Sequence, residues 1–186
     1  MLRLQVIVTS TREERKGPLV AAWFMEQARA NGSFEVELVD LAEVGLPLFD
    51  EPRHPRLRQY AHEHTNRWSA IVDRADAYVF VTPEYNHSTS GALKNAIDFV
   101  YGEWNNKAAG FVSYGAAGGT RAVEHLRLIM GELQVADVRA QVALSLFTDF
   151  ENFSSFKPGP QHEGTLGVVL DQTVSWTKAL QTVRKG

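Results

Sequence analysis

The chain has 186 residues and a formal net charge of −3, so residues 1–186 are expected to form a single domain with a sizeable core. Because no run of Lys and Arg exceeds two residues, a nucleic-acid partner is not indicated. The absence of Cys excludes disulfides, zinc–thiolate sites and thiol nucleophiles together. The apolar run at the N-terminus is too short for a signal peptide or a membrane span, and we therefore expect a cytoplasmic protein.

Five stretches of the chain have the composition of β-strands. The third is apolar throughout, as expected of a central parallel strand that is covered on both faces. The five predicted strands are Leu2–Val8, Phe34–Leu41, Ala77–Val81, Ala108–Tyr114 and Val138–Leu144.

Helical patterns fill the intervals between these strands. Pro18 suits the first turn of a helix, and Asn31-Gly32 suits its end. Because strands and helices alternate, we predict an α/β fold in which a parallel sheet lies between two helical layers. Apolar residues recur at helical spacing over Leu57–Val72, Leu93–Val100, Val123–Leu133 and Val169–Leu180, while Glu43–Arg56 and Glu151–Gly164 are predicted to be long polar loops.

The loop after the first strand, Thr9–Pro18, has the composition of an anion site. Hydroxyls, guanidinium groups and the free amides of a helix N-terminus all suit phosphate oxygens. The spacing matches neither GxxxxGK[ST] nor GxGxxG, so a single phosphate of a mononucleotide fits better than a triphosphate or a dinucleotide. The alternative is a solvated basic turn that caps the helix.

Two further loops leave buried strands, Thr82–Gly91 and Ser113–Arg121. Ligands of open α/β sheets bind beyond the carboxyl ends of the strands. Tyr85 and Tyr114 are expected to stack on a planar ring, and backbone amides of both loops are expected to donate to its heteroatoms. The glycines of the third loop allow close backbone approach. A phosphate at one end and a flat ring at the other describe the shape of FMN.

Three segments, STREERKGP, TPEYNHSTSGALKNAIDFVYGEW and GFVSYGAAGGTRAVEHLR, resemble the NADPH-dependent FMN reductase family of the flavodoxin-like fold. The resemblance implies the strand order 2-1-3-4-5, bound FMN, and NADPH or NADH as hydride donor. It also implies a homodimer or homotetramer that reduces quinones, azo compounds, metal oxyanions or free flavin. Family members usually have Gly at the position of Thr9 and often Pro-Gly at Glu13-Glu14.

The resemblance also implies which residues bind the cofactor. Residues of the phosphate loop are Ser10, Arg12, Arg15 and Gly17. Residues of the loop that faces the isoalloxazine ring are Pro83, Glu84, Tyr85 and Asn86. Residues of the second ring-facing loop are Ser113, Tyr114, Gly115 and Gly118. No catalytic side chain is expected, because flavin chemistry in a ping-pong scheme needs no obligatory protein acid or base.

Several alternatives stay open at this stage. His87 is either a proton donor beside the ring or a solvent-facing loop residue. His62 and His64 are expected on different faces of a helix, which disfavours a metal site. Tyr101 and Trp104 are expected to be exposed and to contact a partner subunit. The alternative functions are a flavin-binding electron carrier or redox sensor, and a doubly wound protein without flavin.

Overall fold

The computed structural model describes residues 1–184, and its centre is a five-stranded parallel sheet in the order β2-β1-β3-β4-β5. The predicted fold class and strand order are therefore confirmed. The strands of this sheet are β1 (Leu2–Val8), β2 (Phe34–Asp40), β3 (Ala77–Pro83), β4 (Ala108–Gly115) and β5 (Ala136–Ser145).

Helices cover both faces of the sheet. One core packs the sheet against α1 and α6, and the other packs it against α3, α4 and α5. The helices are α1 (Gly17–Asn31), α2 (Leu41–Val44), α3 (Glu63–Asp73), α4 (Gly91–Asp98), α5 (Thr120–Glu132) and α6 (Gln161–Arg184).

The apolar run of β3 shows why this strand is central. Ala77, Val79 and Val81 point into the core under α1 and α6, whereas Tyr78 and Phe80 point into the opposite core. All five residues are fully buried. Alternation of side chains along a strand that is covered on both faces therefore requires an apolar residue at every position.

Several boundaries differ from the predicted ones. β3 continues through Thr82 and Pro83, so the loop that follows it begins at Glu84. The predicted loop Glu151–Gly164 contains a two-stranded antiparallel hairpin, β6 (Phe150–Glu151) and β7 (Ser155–Phe156), and the start of α6. Helix α3 begins only at Glu63, because the residues before it are extended or form a short 3-10 turn at Pro55–Leu57.

Two predictions about side chains on this side of the fold are wrong. Trp104 is fully buried rather than exposed, since its ring packs on Tyr78 at 4.9 Å and its Nε1 donates to the carbonyl of Ile97. His62 and His64 do not point to different faces. His62 lies in extended backbone just before α3, and the two rings stack with centroids 5.1 Å apart.

Within residues 1–184, no helix combines the length and hydropathy needed to cross a bilayer. Across the same described range, no group of three or more His, Cys, Asp or Glu side chains is arranged to hold a metal ion.

Candidate active site

The predicted loops meet at the carboxyl edge of the sheet and enclose one cleft. Its volume of about 360 Å³ is within the range of small-molecule sites. Three parts of the chain line it: the first loop, the β3–α4 loop with the end of β4, and residues that follow β5. The lining residues are Arg12, Glu13, Glu14, Arg15, Lys16, Pro83, Glu84, Tyr85, Tyr114, Gly115, Leu146 and Phe153.

The first loop offers backbone donors to this cleft. In the part of the chain that the structure describes, the backbone amides of residues 11–16 have no protein acceptor. Lys16 is the N-cap of α1 and makes no capping hydrogen bond with its side chain. Unpaired amides at the positive end of a helix dipole suit an anion. Arg12 adds an exposed guanidinium, 5.8 Å from the centre of the Tyr85 ring.

Arg15 differs from Arg12 because it already has an anionic partner. Its two terminal nitrogens donate to the two carboxylate oxygens of Asp40, at 2.5 and 2.8 Å, and one of them also donates to the carbonyl of Ser10. The hydrogen bond to Asp40 raises the pKa of Arg15. Asp40 ends β2 and accepts from the amide of Ala42 as the N-cap of α2. Arg15 therefore ties the first loop to the end of β2.

Ser10, Gly17 and Tyr114 form a tight buried contact beneath the loop. The Tyr114 hydroxyl donates to Ser10 Oγ at 3.3 Å. A Cβ at Gly17 would lie 2.6 Å from Ser10 Oγ, so only glycine fits between these groups. Burial raises the pKa of Tyr114 to about 12, so its hydroxyl stays a donor at neutral pH. These three residues fix the shape of the loop from below.

Tyr114 lines the cleft but is only 5% exposed, and its ring packs in the core, 6.4 Å from the ring of Phe150. That Tyr114 stacks on a planar ligand stays a prediction. Tyr114 occupies the same face of β4 as Val112, which points toward α6. Tyr85, which is partly exposed in the cleft wall, keeps a ring face that a planar ligand can reach.

The two departures from the family pattern have local explanations. Thr9 is fully buried, and its hydroxyl donates to the carbonyl of Val81 rather than entering the cleft. The Ser90 hydroxyl, which caps α4, donates to the Thr9 carbonyl at 2.6 Å. Glu14 has a φ of +53°, a conformation for which glycine is the ordinary residue. Its side chain is exposed.

The β3–α4 loop contains a tight turn that presents two more amides. Tyr85 and Ser88 exchange backbone hydrogen bonds of 2.9 and 3.1 Å, and the residues between them, Asn86 and His87, have φ values of +48° and +72°. Positive φ at both central positions is the signature of a type I′ turn. Among the described residues, the amides of Asn86 and His87 have no protein acceptor.

Glu84 acts through its carboxylate rather than through its amide. Its amide donates to the carbonyl of Tyr114 and is therefore not available to a ligand. The carboxylate accepts from the backbone amide of Arg121 at 3.2 Å and forms an ion pair with the Arg121 side chain. A carboxylate at this position stabilises the N-terminus of α5. Glu84 thus joins the β3–α4 loop to the loop that follows β4.

The third predicted loop, Ser113–Arg121, contributes two lining residues, Tyr114 and Gly115, both of which belong to the end of β4. Ser113 is fully buried, and its hydroxyl donates to the carbonyl of Gly118 at 2.7 Å. Gly118 has a φ of +69° and lies against Ala143 of β5, outside the cleft lining. Ser113 and Gly118 therefore shape the loop rather than line the cleft.

Five residues that line the cleft are absent from the predicted site residues: Glu13, Glu14, Lys16, Leu146 and Phe153. The first three are interspersed with the predicted phosphate residues and could have been included on that basis. Leu146 follows β5, Phe153 falls in the predicted loop Glu151–Gly164, and no motif marks either residue. His87, in contrast, lies outside the lining, and its ring is 6.1 Å from that of His125.

The sheet order and a cleft at its switch point define a flavodoxin-like, mononucleotide-binding class of protein. Residues 2–149 match the family model of NADPH-dependent FMN reductases, and the chain belongs to this family.

Relatives along nearly the full chain support the family assignment. An NAD(P)H-dependent FMN reductase of Schizosaccharomyces pombe is 35% identical, covering 98% of this chain and 86% of the relative. A quinone reductase of Pseudomonas putida is 33% identical, covering 96% of each chain. The solved structure of FerB, a flavoenzyme NAD(P)H:(acceptor) oxidoreductase from Paracoccus denitrificans, has a TM-score of 0.74. It is 23% identical over 96% of this chain and 98% of that one, a likeness of fold.

Proposed function

We propose that the protein is an NAD(P)H-dependent oxidoreductase that holds FMN non-covalently in the cleft and delivers two electrons to a quinone-type acceptor. The observation that carries this proposal is the position of the unpaired backbone donors. One set, in residues 11–16, is at the helix end of the cleft, and the other, at Asn86 and His87, is beside Tyr85. Family membership supports both the cofactor and the donor.

The phosphate of FMN would bind at the first loop. Among residues 1–184, the Arg12 guanidinium forms no ion pair with a carboxylate, and the amides of residues 11–16 would donate to the phosphate oxygens together with it. Arg15 keeps the loop in place through Asp40. Because the chain has one such loop and lacks GxGxxG, FMN is expected to bind in preference to FAD.

The ring system would lie along the β3–α4 loop. Pro83, Glu84 and Tyr85 line that part of the cleft, and Gly115 lies beside Glu84 at the end of the adjacent strand β4. The amides of Asn86 and His87 would donate to ring heteroatoms. Main-chain donors held by a tight turn need no reorganisation when negative charge develops on a ring.

Bound FMN would supply the redox chemistry, taking a hydride equivalent from NAD(P)H and passing two electrons to the acceptor. The balanced reaction with a quinone is NAD(P)H + H⁺ + quinone → NAD(P)⁺ + hydroquinone. The acceptor classes are quinones, azo compounds, metal oxyanions and free flavin. Both substrates are expected to reach the same exposed face of the ring, which would give ping-pong kinetics with mutual competition at high substrate concentration.

The assembly that we propose is a homodimer built around α4. Asn95 of α4 accepts from the Phe49 amide and donates to the Pro47 carbonyl, which pins this segment against the helix. The segment leaves Leu48 86% exposed. An exposed leucine on a pinned segment is suited to burial against a second copy. A monomer in sedimentation at micromolar concentration would contradict this assembly. We also propose a cytoplasmic location, because the NAD(P)H donor is an intracellular metabolite.

Anaerobic spectroscopy tests the function directly. The protein loaded with FMN should lose its absorbance near 450 nm when NADPH or NADH is added and should regain it when 1,4-naphthoquinone follows. FMN should bind more tightly than FAD or riboflavin. A flavin that stays oxidised with both nicotinamides would contradict the reductase function and favour an electron carrier.

A further inference from the structure

The hairpin after β5 places an aromatic ring in the cleft wall at a conformational cost. Phe153 is at its tip, has a φ of +55° and lines the cleft, yet its side chain is 58% exposed. The preceding residue, Asn152, has a φ of +50°. Asn is common at such positions, whereas the second central residue of a type I′ turn is usually glycine and a bulky residue there is an outlier.

The base of this hairpin is fixed, so the ring is held in position. Asp149 is 2% exposed, and its carboxylate accepts from the amides of Ser145 and Gly159 at 2.8 and 3.1 Å. Phe150 is buried against Tyr114, and Phe156 packs on Trp23 at 5.7 Å. Because the base of the hairpin is anchored, its tip stays beside the cleft.

The Phe153 ring has no structural role that would require it. Its described aromatic neighbour is Phe147, which is itself 65% exposed and does not line the cleft. Gly or Asn would form the turn with less strain. An exposed aromatic ring that is kept in a strained conformation at the edge of a binding cleft indicates a role in that cleft. The hairpin also follows the stretch that matches the family model, residues 2–149.

We infer that Phe153 is an acceptor-specificity residue, whose ring forms the outer wall of the cleft and stacks on flat aromatic acceptors. Phe153 and Tyr85 both line the cleft, so a planar molecule bound there has two aromatic rings within the lining to stack on. A compact inorganic ion has no face to stack and gains nothing from the ring. The inference rests on the proposed function, because it names the acceptor class of the same site.

Phe153→Gly removes the ring and suits the left-handed turn, so it leaves the hairpin intact. The KM for 1,4-naphthoquinone should rise about 3- to 10-fold, the range expected for loss of one aromatic pair. The kcat with naphthoquinone, the KM for ferricyanide and the dissociation constant for FMN should not change. Phe153→Tyr should restore the naphthoquinone KM. Trp176→Ala, which removes a half-exposed aromatic ring of α6 that neither lines the cleft nor contacts Phe153, is the control and should leave all four values unchanged.

A binding measurement separates this inference from the proposed function. Naphthoquinone is not turned over when no nicotinamide is present, so its affinity for the oxidised FMN-loaded protein can be measured calorimetrically at equilibrium. The affinity should fall by the same factor in Phe153→Gly, whether or not NAD(P)H reduces the flavin. Equal changes for naphthoquinone and ferricyanide, no change for either, or weaker FMN binding would each overturn the inference. Phe153→Asn provides a second ring-free variant if the glycine variant unfolds.

Discussion

Replacing Arg12 by Ala tests whether the first loop binds a phosphate. Arg12 is exposed and forms no described salt bridge, and its guanidinium lies over the Tyr85 ring at 5.8 Å. Its removal should therefore change the free energy of unfolding by no more than about 0.5 kcal/mol. A charge-assisted hydrogen bond contributes about 1.5–3 kcal/mol. We expect Arg12→Ala to weaken FMN binding about 10- to 100-fold.

The assay compares FMN with riboflavin, which has the same ring but no phosphate. Dissociation constants for both flavins follow from the quenching of flavin fluorescence at equilibrium. Only FMN binding should weaken in Arg12→Ala, and the salt dependence of FMN binding should become shallower because one cationic contact is lost. Equal losses for FMN and riboflavin would show that Arg12 acts on the fold, and the phosphate assignment would then be wrong.

Arg15→Ala provides the contrasting variant in the same loop. It removes the partner of Asp40, whose side chain is 7% exposed, and leaves this carboxylate with the amide of Ala42. Breaking a buried pair costs about 3–5 kcal/mol, and the partial exposure of Arg15 reduces the expected loss to about 1–3 kcal/mol. Urea unfolding should therefore show a clear loss in the free energy of unfolding for Arg15→Ala and almost none for Arg12→Ala.

Three further substitutions test the supports of the site. Glu84→Gln removes the ion pair with Arg121, but the Gln side-chain oxygen can still accept from the Arg121 amide. Urea unfolding should therefore show a loss of only about 0.5–1 kcal/mol in the free energy of unfolding. A loss several times larger would mean that the charge itself holds the two loops together. Gly118→Val forces a β-branched residue to a φ of +69°, with its Cβ 3.1 Å from that of Ala143. Thermal unfolding should show a loss of about 1–3 kcal/mol, and FMN and riboflavin binding should weaken equally, whereas wild-type stability would contradict the strain argument. Burial raises the pKa of Asp149, but hydrogen bonds from backbone amides and the charge of His162 have the larger combined effect and hold it below its usual 3.8. Because the folded pKa is depressed, the stabilisation from this carboxylate is present above pH 3.8 and is lost as the pH falls through the folded value. Asp149→Asn should therefore destabilise the fold by about 1–2 kcal/mol at pH 7 and flatten the fall in stability below pH 4, and pH profiles that run parallel for the two proteins would refute this.

The parts of the fold that repeat a simple pattern could be predicted from the sequence. The unbroken apolar run of β3 required a strand covered on both faces, and alternation of strands and helices then led to the parallel sheet. The burial of Tyr114 could also have been predicted from the alternation of side chains along β4. Tyr114 is two residues after Val112, so its ring had to share the inward face of β4.

The rest depended on contacts between residues that are distant in sequence. Nothing in the first loop indicates that Arg15, rather than Arg12, would pair with Asp40 at the end of β2. The hairpin tip at Asn152 and Phe153 was missed because it lacks the glycine that usually marks such a turn. Trp104 was predicted to be exposed because it follows the predicted helix instead of lying on its apolar face, and only the tertiary fold shows that its ring packs against Tyr78.

The groups that donate hydrogen bonds around the cleft do not change their protonation state near neutral pH. Backbone amides do not titrate, and a guanidinium cannot be deprotonated in a protein. The phenol of Tyr114, with a pKa of about 12, also keeps its proton through the neutral range. The potential that these groups impose on a bound flavin is therefore constant from weakly acidic to weakly alkaline solution. Any pH dependence of the midpoint potential in that interval would come from the flavin itself or from a neighbouring imidazole such as that of His87, and not from these donors.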